Sequence, residues 1–239
     1  MKPVGPASSI GSGQVLTPAE KHAAKCRQCL KNPRVCYCAS IVPIETRCRI
    51  LILQHPSEMW RPSATAKIAG LALPNARLYI KENESDEREL ESVLSDPGVR
   101  TFIVLPHEAV PEPAELRASG ALDGSFVPAF LFLDGSWRQV RRMRHRRKWL
   151  EGLPAVTLRP QSDSMYRIRR QAQPGHLSTL EAVALLLSQV EDRPERFGHL
   201  LDLLDLMVTR ILALRGMDRD GVPLKTGTRW GDRGVGSSE

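Results

Sequence analysis

A mainly parallel α/β sheet covered by helices is the fold class this sequence predicts, and three observations predict it. From residue 49 onward, short apolar runs alternate with polar or amphipathic helical patterns, the signature of strand–helix–strand units. The strongest run, Ala129–Leu133, stops at Asp134-Gly135-Ser136-Trp137 and passes directly into a basic helical pattern. Two apolar helical patterns then follow, from Ser178 to about Val190 and from Pro194 to Gly216. The 239 residues are enough for one sizeable core or a core plus a small module.

Taken in order, residues 1–16 are rich in Gly, Ser and Pro and read as a disordered leader. Thr17-Pro18-Ala19-Glu20 reads as a helix start. Residues 17–45 form the expected N-terminal module, 46–216 the α/β domain and 217–239 a flexible tail. Arg49–His55 reads as a buried strand that ends in a loop bounded by Pro56 and Pro62. That loop carries His55, Glu58 and Arg61. Ser63 is the expected cap of a helix over 64–73. Ala76–Ile80 and Arg100–Leu105 read as strands, with an acidic helix over 87–94 between them. Residues 107–126, opening on His107-Glu108, form a Pro- and Ala-rich connection with a helical turn near 114–117. Ala155–Pro160 is the last expected strand.

Ligands of open α/β sheets bind outside the carboxyl ends of the strands. Asp134 and Ser136 belong at that rim, and Gly135 permits a tight turn or a close approach. Ser136 is also a natural cap for the helix that Trp137 begins, so Asp134 and Ser136 read equally well as helix caps. On a helical wheel Trp137, Val140, Met143 and Leu150 share one side, with Arg138, Arg141, Arg142, His145 and Arg146 on the other. Seven Lys/Arg and no acid fall between 138 and 148. With a net charge of +7, that run points to an anionic partner such as nucleic acid. Arg167, Arg169 and Arg170 beside Tyr166 suit the same ligand class, or a solvated loop. Ser178 with Glu181 forms a capping box, and the helix start at Ser178-Thr179 offers backbone N–H groups to an anion. No run approaches the roughly 18 apolar residues of a membrane span, and no signal pattern opens the chain. A cytoplasmic protein without membrane contact is expected.

Four of the five cysteines lie within thirteen residues, as Cys26-x-x-Cys29 and Cys36-x-Cys38. In a chain expected to be cytosolic such crowding points to metal or redox chemistry. Two thiol pairs across a six-residue turn suit a compact four-thiolate zinc knuckle, with the metal about 2.3 Å from each sulfur and no open position for catalysis. A redox-active cluster or four unrelated surface cysteines are the alternatives. Cys48 stands apart in a strand and reads as a core residue. Neither a GxxxxGK[ST] phosphate loop nor a GxGxxG turn is present, and no Ser-His-Asp nucleophile elbow appears.

Five segments, in order, resemble one family. They are the Cys26/Cys29/Cys36/Cys38 cluster, HPSEMWRPSATAK at 55–67, FLDGSWRQVRRM at 132–143, YRIRRQ at 166–171 and HLSTLEA at 176–182. Together they are similar to the DTW-domain tRNA-uridine aminocarboxypropyltransferases, over roughly residues 24–215. The D-x-T-W signature reads here Asp134-Gly135-Ser136-Trp137, which keeps the hydroxyl and loses a methyl. Ser63-Ala64-Thr65 stands where the family often has Asn-Thr.

The resemblance implies an S-adenosylmethionine-binding fold related to the knotted SPOUT methyltransferases. It implies transfer of the 3-amino-3-carboxypropyl group to N3 of a tRNA uridine, with release of methylthioadenosine. On that reading Asp134 is the catalytic candidate, either taking the N3 proton or binding the co-substrate's ammonium group. Asp134, Ser136, Trp137, Ser178 and Thr179 are candidates for holding S-adenosylmethionine. Arg61, Arg138, Arg141, Arg142 and Arg167 would hold tRNA, with His55 and Glu58 as a second polar cluster and zinc on the four cysteines. A homodimer is expected by analogy with SPOUT proteins. A SPOUT-like RNA methyltransferase and a non-catalytic zinc-knuckle RNA-binding protein are the alternatives.

Overall fold

The computed structural model describes residues 25–105, 109–168, 177–218 and 220–222. The expected leader, the Thr17 helix start, His107-Glu108, Arg169, Arg170, His176 and most of the expected tail lie outside these residues. Five strands form one sheet: β1 Arg49–Gln54, β2 Ala76–Ile80, β3 Val99–Val104, β4 Val127–Asp134 and β5 Ala155–Val156. Their order is β2-β1-β4-β3-β5, and every pairing is parallel.

Among the described residues eight α-helices connect and cover the sheet. The one-turn α1 Pro56–Met59 and α2 Ala66–Ala72 follow β1, and α3 Glu84–Leu94 follows β2. α4 Pro113–Ala118 precedes β4, and α5 Trp137–Arg146 with α6 Lys148–Glu151 leads to β5. α7 Thr179–Glu191 and α8 Pro194–Leu214 end the described fold. None of them is long and apolar enough to cross a membrane.

The two faces of the sheet carry separate cores, as the alternation of strand side chains requires. Ile50, Ile52, Phe102, Phe130 and Phe132 pack with α2, α7 and α8, and Phe102 and Phe130 stack with ring centroids 5.6 Å apart. Leu51, Leu53, Ile103 and Leu131 pack against Leu90 of α3, Met143 of α5 and Leu150 of α6. Burial on both faces explains why β1 and β4 read as continuous apolar runs rather than alternating ones.

The cysteine segment joins the first core. Cys29, Val35 and Tyr37 are buried with the α7–α8 residues, and the Arg210 guanidinium of α8 donates to the Cys36 carbonyl. Lys31, 5% exposed, donates through Nζ to the carbonyls of Arg61, at 2.6 Å, and Ala64, at 3.3 Å. A lysine of the cysteine segment thus fixes the loop that follows α1. Cys48 is buried as expected, and burial pushes its thiol up to about 12.

Several elements differ from the sequence expectation. The helix after β1 starts at Ala66 with Thr65, not Ser63, at its cap position. α3 begins three residues early, because the Asn83 side chain accepts from the Ser85 and Asp86 N–H groups. The basic helix stops at Arg146, and Leu150 belongs to the separate turn α6. Arg147 leaves the helical conformation, and its guanidinium pairs with Glu87 of α3. β5 is two residues long, since only Ala155 and Val156 find partners on β3.

Candidate active site and metal centre

The parallel pairing of β1 with β4 places Gln54 opposite Asp134 at the carboxyl end of the sheet. Both side chains lie on the face that α7 covers, two residues beyond Ile52 and Phe132. Asp134 is 9% exposed. Gln54 Nε2 donates to its Oδ2 at 2.7 Å, and the Thr179 hydroxyl, at the first turn of α7, donates to its Oδ1. The His55 N–H donates to the Asp134 carbonyl at 2.8 Å and extends the pairing by one step. Two side-chain donors stabilise this carboxylate as an anion where water is largely excluded.

Gly135 follows with no positive φ. Its need is for space. A Cβ there would stand 3.2 Å from Cβ and Oε1 of Gln139 and 3.4 Å from Cβ of His55. The close approach, not an unusual turn, is what glycine serves here. Gly135→Ala is expected to cost about 1–2 kcal/mol of stability by overpacking, read as a lowered midpoint in urea unfolding with an unchanged slope.

Ser136 and Gln139 form the start of α5, with the Ser136 N–H donating to Gln139 Oε1 at 2.7 Å. Gln139 Nε2 in turn donates to Ser57 Oγ at 2.9 Å. Ser57 Oγ stands 2.9 Å from His55 Nδ1, and the Ser57 N–H donates to the same nitrogen at 3.2 Å. This ties α5 to α1 across the end of the sheet. Burial, followed by the positive charge of Lys81, lowers the His55 pKa; Glu58 opposes and Arg61 adds to the lowering. The ring is therefore neutral at pH 7, with Nδ1 accepting and the proton on Nε2. Glu58 is buried, 3% exposed, and pairs with Arg61 at 3.1 Å.

Beside this corner a cleft of about 210 Å³ opens, a size for part of a small molecule rather than for a polynucleotide. Leu105, Leu133 and Leu158 wall it from the strand ends, Trp137 and Val140 from α5, and Thr179 from α7. Trp137, expected on the packed side of its helix, is 44% exposed at the cleft. α5 buries fully only Met143, so its first turn overhangs the rim. Arg138, Arg141 and Arg142 are exposed along the same helix and make no ion pair among the described residues.

Other expected residues are used differently. The Ser178 hydroxyl accepts the Glu181 N–H at 3.3 Å, and Glu181 accepts the Ser178 N–H at 2.7 Å, which completes the capping box. Thr65 Oγ1 takes the Leu180 N–H at 3.4 Å. The α7 N-terminus is thus capped from within. Glu181 also accepts from Ser164 Oγ at 2.8 Å and from the Met165 N–H at 2.7 Å, so it anchors the loop before α7. Arg167 is engaged instead by Asp205, at 3.6 Å, and Asp220, at 3.2 Å. Gln54 and Lys31 were not distinguishable from a strand end and a turn residue by local pattern. The one available signal for Gln54 is an amide inside an apolar strand.

The Sγ atoms of Cys26, Cys29, Cys36 and Cys38 all lie within 4.8 Å of one another. Cys26 and Cys38 are 3.7 Å apart, as are Cys29 and Cys36. A tetrahedron with metal–sulfur distances of about 2.3 Å has edges of about 3.8 Å. The spacing fits a four-thiolate metal site and is far beyond the roughly 2.05 Å of a disulfide. These four residues can hold a metal ion.

The profile of the DTW domain matches residues 23–212. This chain belongs to the DTW-domain family. It is similar to proteins named tRNA-uridine aminocarboxypropyltransferase 2. That of Drosophila melanogaster is 30% identical over 179 residues, covering 72% of this chain and 68% of the fly protein. The Mus musculus protein is 30% identical over 174 residues, and the Macaca fascicularis protein 29% identical over 178. Those matches cover 70% and 72% of this chain but only 56% and 58% of the mammalian proteins. No solved structure matches the chain. The match contains both the DGSW corner and the four cysteines, so both belong to the DTW domain.

Proposed function

We propose that the chain transfers a 3-amino-3-carboxypropyl group from S-adenosylmethionine to N3 of a tRNA uridine. The observation that carries this is the buried Asp134 carboxylate, fixed by Gln54 and Thr179 beside an apolar cleft with an exposed indole, in a DTW domain. The relatives' names supply the reaction class and the tRNA substrate.

The residues suit an amino-acid nucleoside. When bound, S-adenosylmethionine supplies a carbon of the aminocarboxypropyl arm activated by its sulfonium. Trp137 offers a ring face to the adenine or the uracil, and the leucine walls exclude water. Asp134 accepts from two donors, and on this reading its role is to hold the ammonium group. Thr179 and Gln54 act by aiming it. Ser136 and Ser178 serve the helix starts, and the neutral His55 braces Ser57 and Gln139 from the other side. Arg138, Arg141 and Arg142 present a cationic face to tRNA phosphates next to the cleft. Zinc on the four cysteines is structural.

The direct experiment incubates unmodified tRNA with the protein and S-adenosylmethionine, followed by mass spectrometry of the nucleosides. A uridine heavier by one aminocarboxypropyl group, with methylthioadenosine released, is the expected result. A methylated nucleoside with S-adenosylhomocysteine overturns it in favour of methyl transfer. For the cationic face, Arg141→Glu with Arg142→Glu is expected to weaken tRNA binding and to flatten its log–log salt dependence by about 2. Unchanged affinity would remove α5 from the RNA interface.

A further inference from the structure

A second cavity, of about 280 Å³, lies on another part of the molecule, where the cysteine segment, the loop after α1 and the end of α8 meet. Its lining includes Lys25, Asn32, Trp60, Leu214 and Arg215, and no acidic residue. Trp60 is 50% exposed and Leu214 47% exposed. Lys25 Nζ stands 5.3 Å from the centroid of the Trp60 ring. A large half-exposed aromatic, two cations and a side-chain amide around an open hollow are the parts of a single-stranded nucleic-acid site. The ring offers a stacking face that every base can use, and the cations hold the phosphate.

The position fits that occupant. Trp60 follows α1, whose four residues rise about 6 Å from the carboxyl end of β1. Lys31 fixes the other end of the loop through the Arg61 and Ala64 carbonyls. The tryptophan is therefore presented on a braced segment that starts at the active-site rim.

We propose that this hollow is a second tRNA-binding subsite, in which an unpaired nucleotide stacks on Trp60 with its phosphate held by Lys25 and Arg215. The inference deepens the aminocarboxypropyltransferase reading, on which its choice of tRNA rests. It assigns the subsite to bases that are not paired, so the enzyme would select a single-stranded region of the tRNA.

The test is equilibrium binding of unmodified tRNA, compared with a fully paired RNA duplex of similar length. Trp60→Ala is expected to weaken tRNA binding about 5- to 150-fold, with duplex binding unchanged. Trp60→Phe, which keeps a ring, should retain most of the affinity. Lys25→Ala with Arg215→Ala should reduce the salt slope by roughly 1.5, whereas Trp60→Ala should leave it alone. An unchanged unfolding midpoint separates these effects from misfolding, which a half-exposed side chain makes a simple control. Parental tRNA affinity in Trp60→Ala overturns the subsite, as does an equal loss for the duplex or a parent chain that retains no tRNA. Nucleoside mass spectrometry at saturating tRNA distinguishes the two readings. Transfer with a Trp60-independent affinity overturns only the subsite. Trp60-dependent binding without any modified uridine supports the subsite and overturns only the proposed reaction.

Discussion

Asp134→Asn is expected to lower the rate of group transfer about 100-fold or more while leaving tRNA binding at its parental value. The substitution keeps the shape and removes the charge. The amide can keep its oxygen toward Gln54 Nε2 and turn its NH₂ toward the Thr179 hydroxyl, which accepts as readily as it donates. What is lost is the negative charge, in a site that is 9% exposed. Loss of a preorganised electrostatic contact of this kind is worth about 10²–10³ in rate. Thr179→Val should give a smaller loss of the same character, because the charge remains but one of its supports is gone. Steady-state rates at saturating tRNA, with binding measured separately, check both. A parental rate in Asp134→Asn would take this residue out of the chemistry. A loss confined to the affinity for S-adenosylmethionine would mark it as a binding anchor alone.

Removing the metal is the second large effect. On the proposed zinc reading, Cys29→Ser is expected to remove the metal and destabilise the whole domain, since Cys29 is 1% exposed in the same core as α7 and α8. Structural zinc contributes about 10–16 kcal/mol in small zinc-dependent domains. A third of that, about 4 kcal/mol, lowers the melting midpoint of a chain this size by roughly 8–16 °C. Cys48→Ala is the matched control: it touches another buried thiol outside the cluster and should leave the metal content unchanged. Elemental analysis together with thermal unfolding reads both. A Cys29→Ser chain that melts with the parent would show that the thiol cluster carries no structural load.

Local pattern was sufficient for much of this molecule. The alternation of strands and helices, the Asp134 corner and the cysteine spacing each depend on neighbouring residues, and each stands in the structure where the pattern puts it. What pattern lacked was partnership across the chain. Gln54 matters because β1 lies next to β4, a neighbour relation that follows β1's own sequence in no way. Lys31 looks like a turn residue until the Arg61 carbonyl is beside it. Trp137 falls on the apolar side of a helical wheel, yet the wheel says nothing of how far the helix overhangs the sheet. Arg167 was one cation among several; only the fold brings Asp205 and Asp220 to it.

The triad of Gln54, Asp134 and Thr179 draws on three points of the chain, 80 and 45 residues apart. During synthesis the carboxylate and its amide leave the ribosome well before the threonine that completes the set. On the proposed reading, a nascent or truncated chain that ends before α7 has a sheet but an incomplete Gln54–Asp134–Thr179 set and is expected to be inactive on tRNA. The same separation makes the enzyme a natural candidate for splitting. Two fragments divided between β5 and α7 should each be inert, and activity should appear only on their reassociation. Catalysis in this protein would then report that the fold has closed.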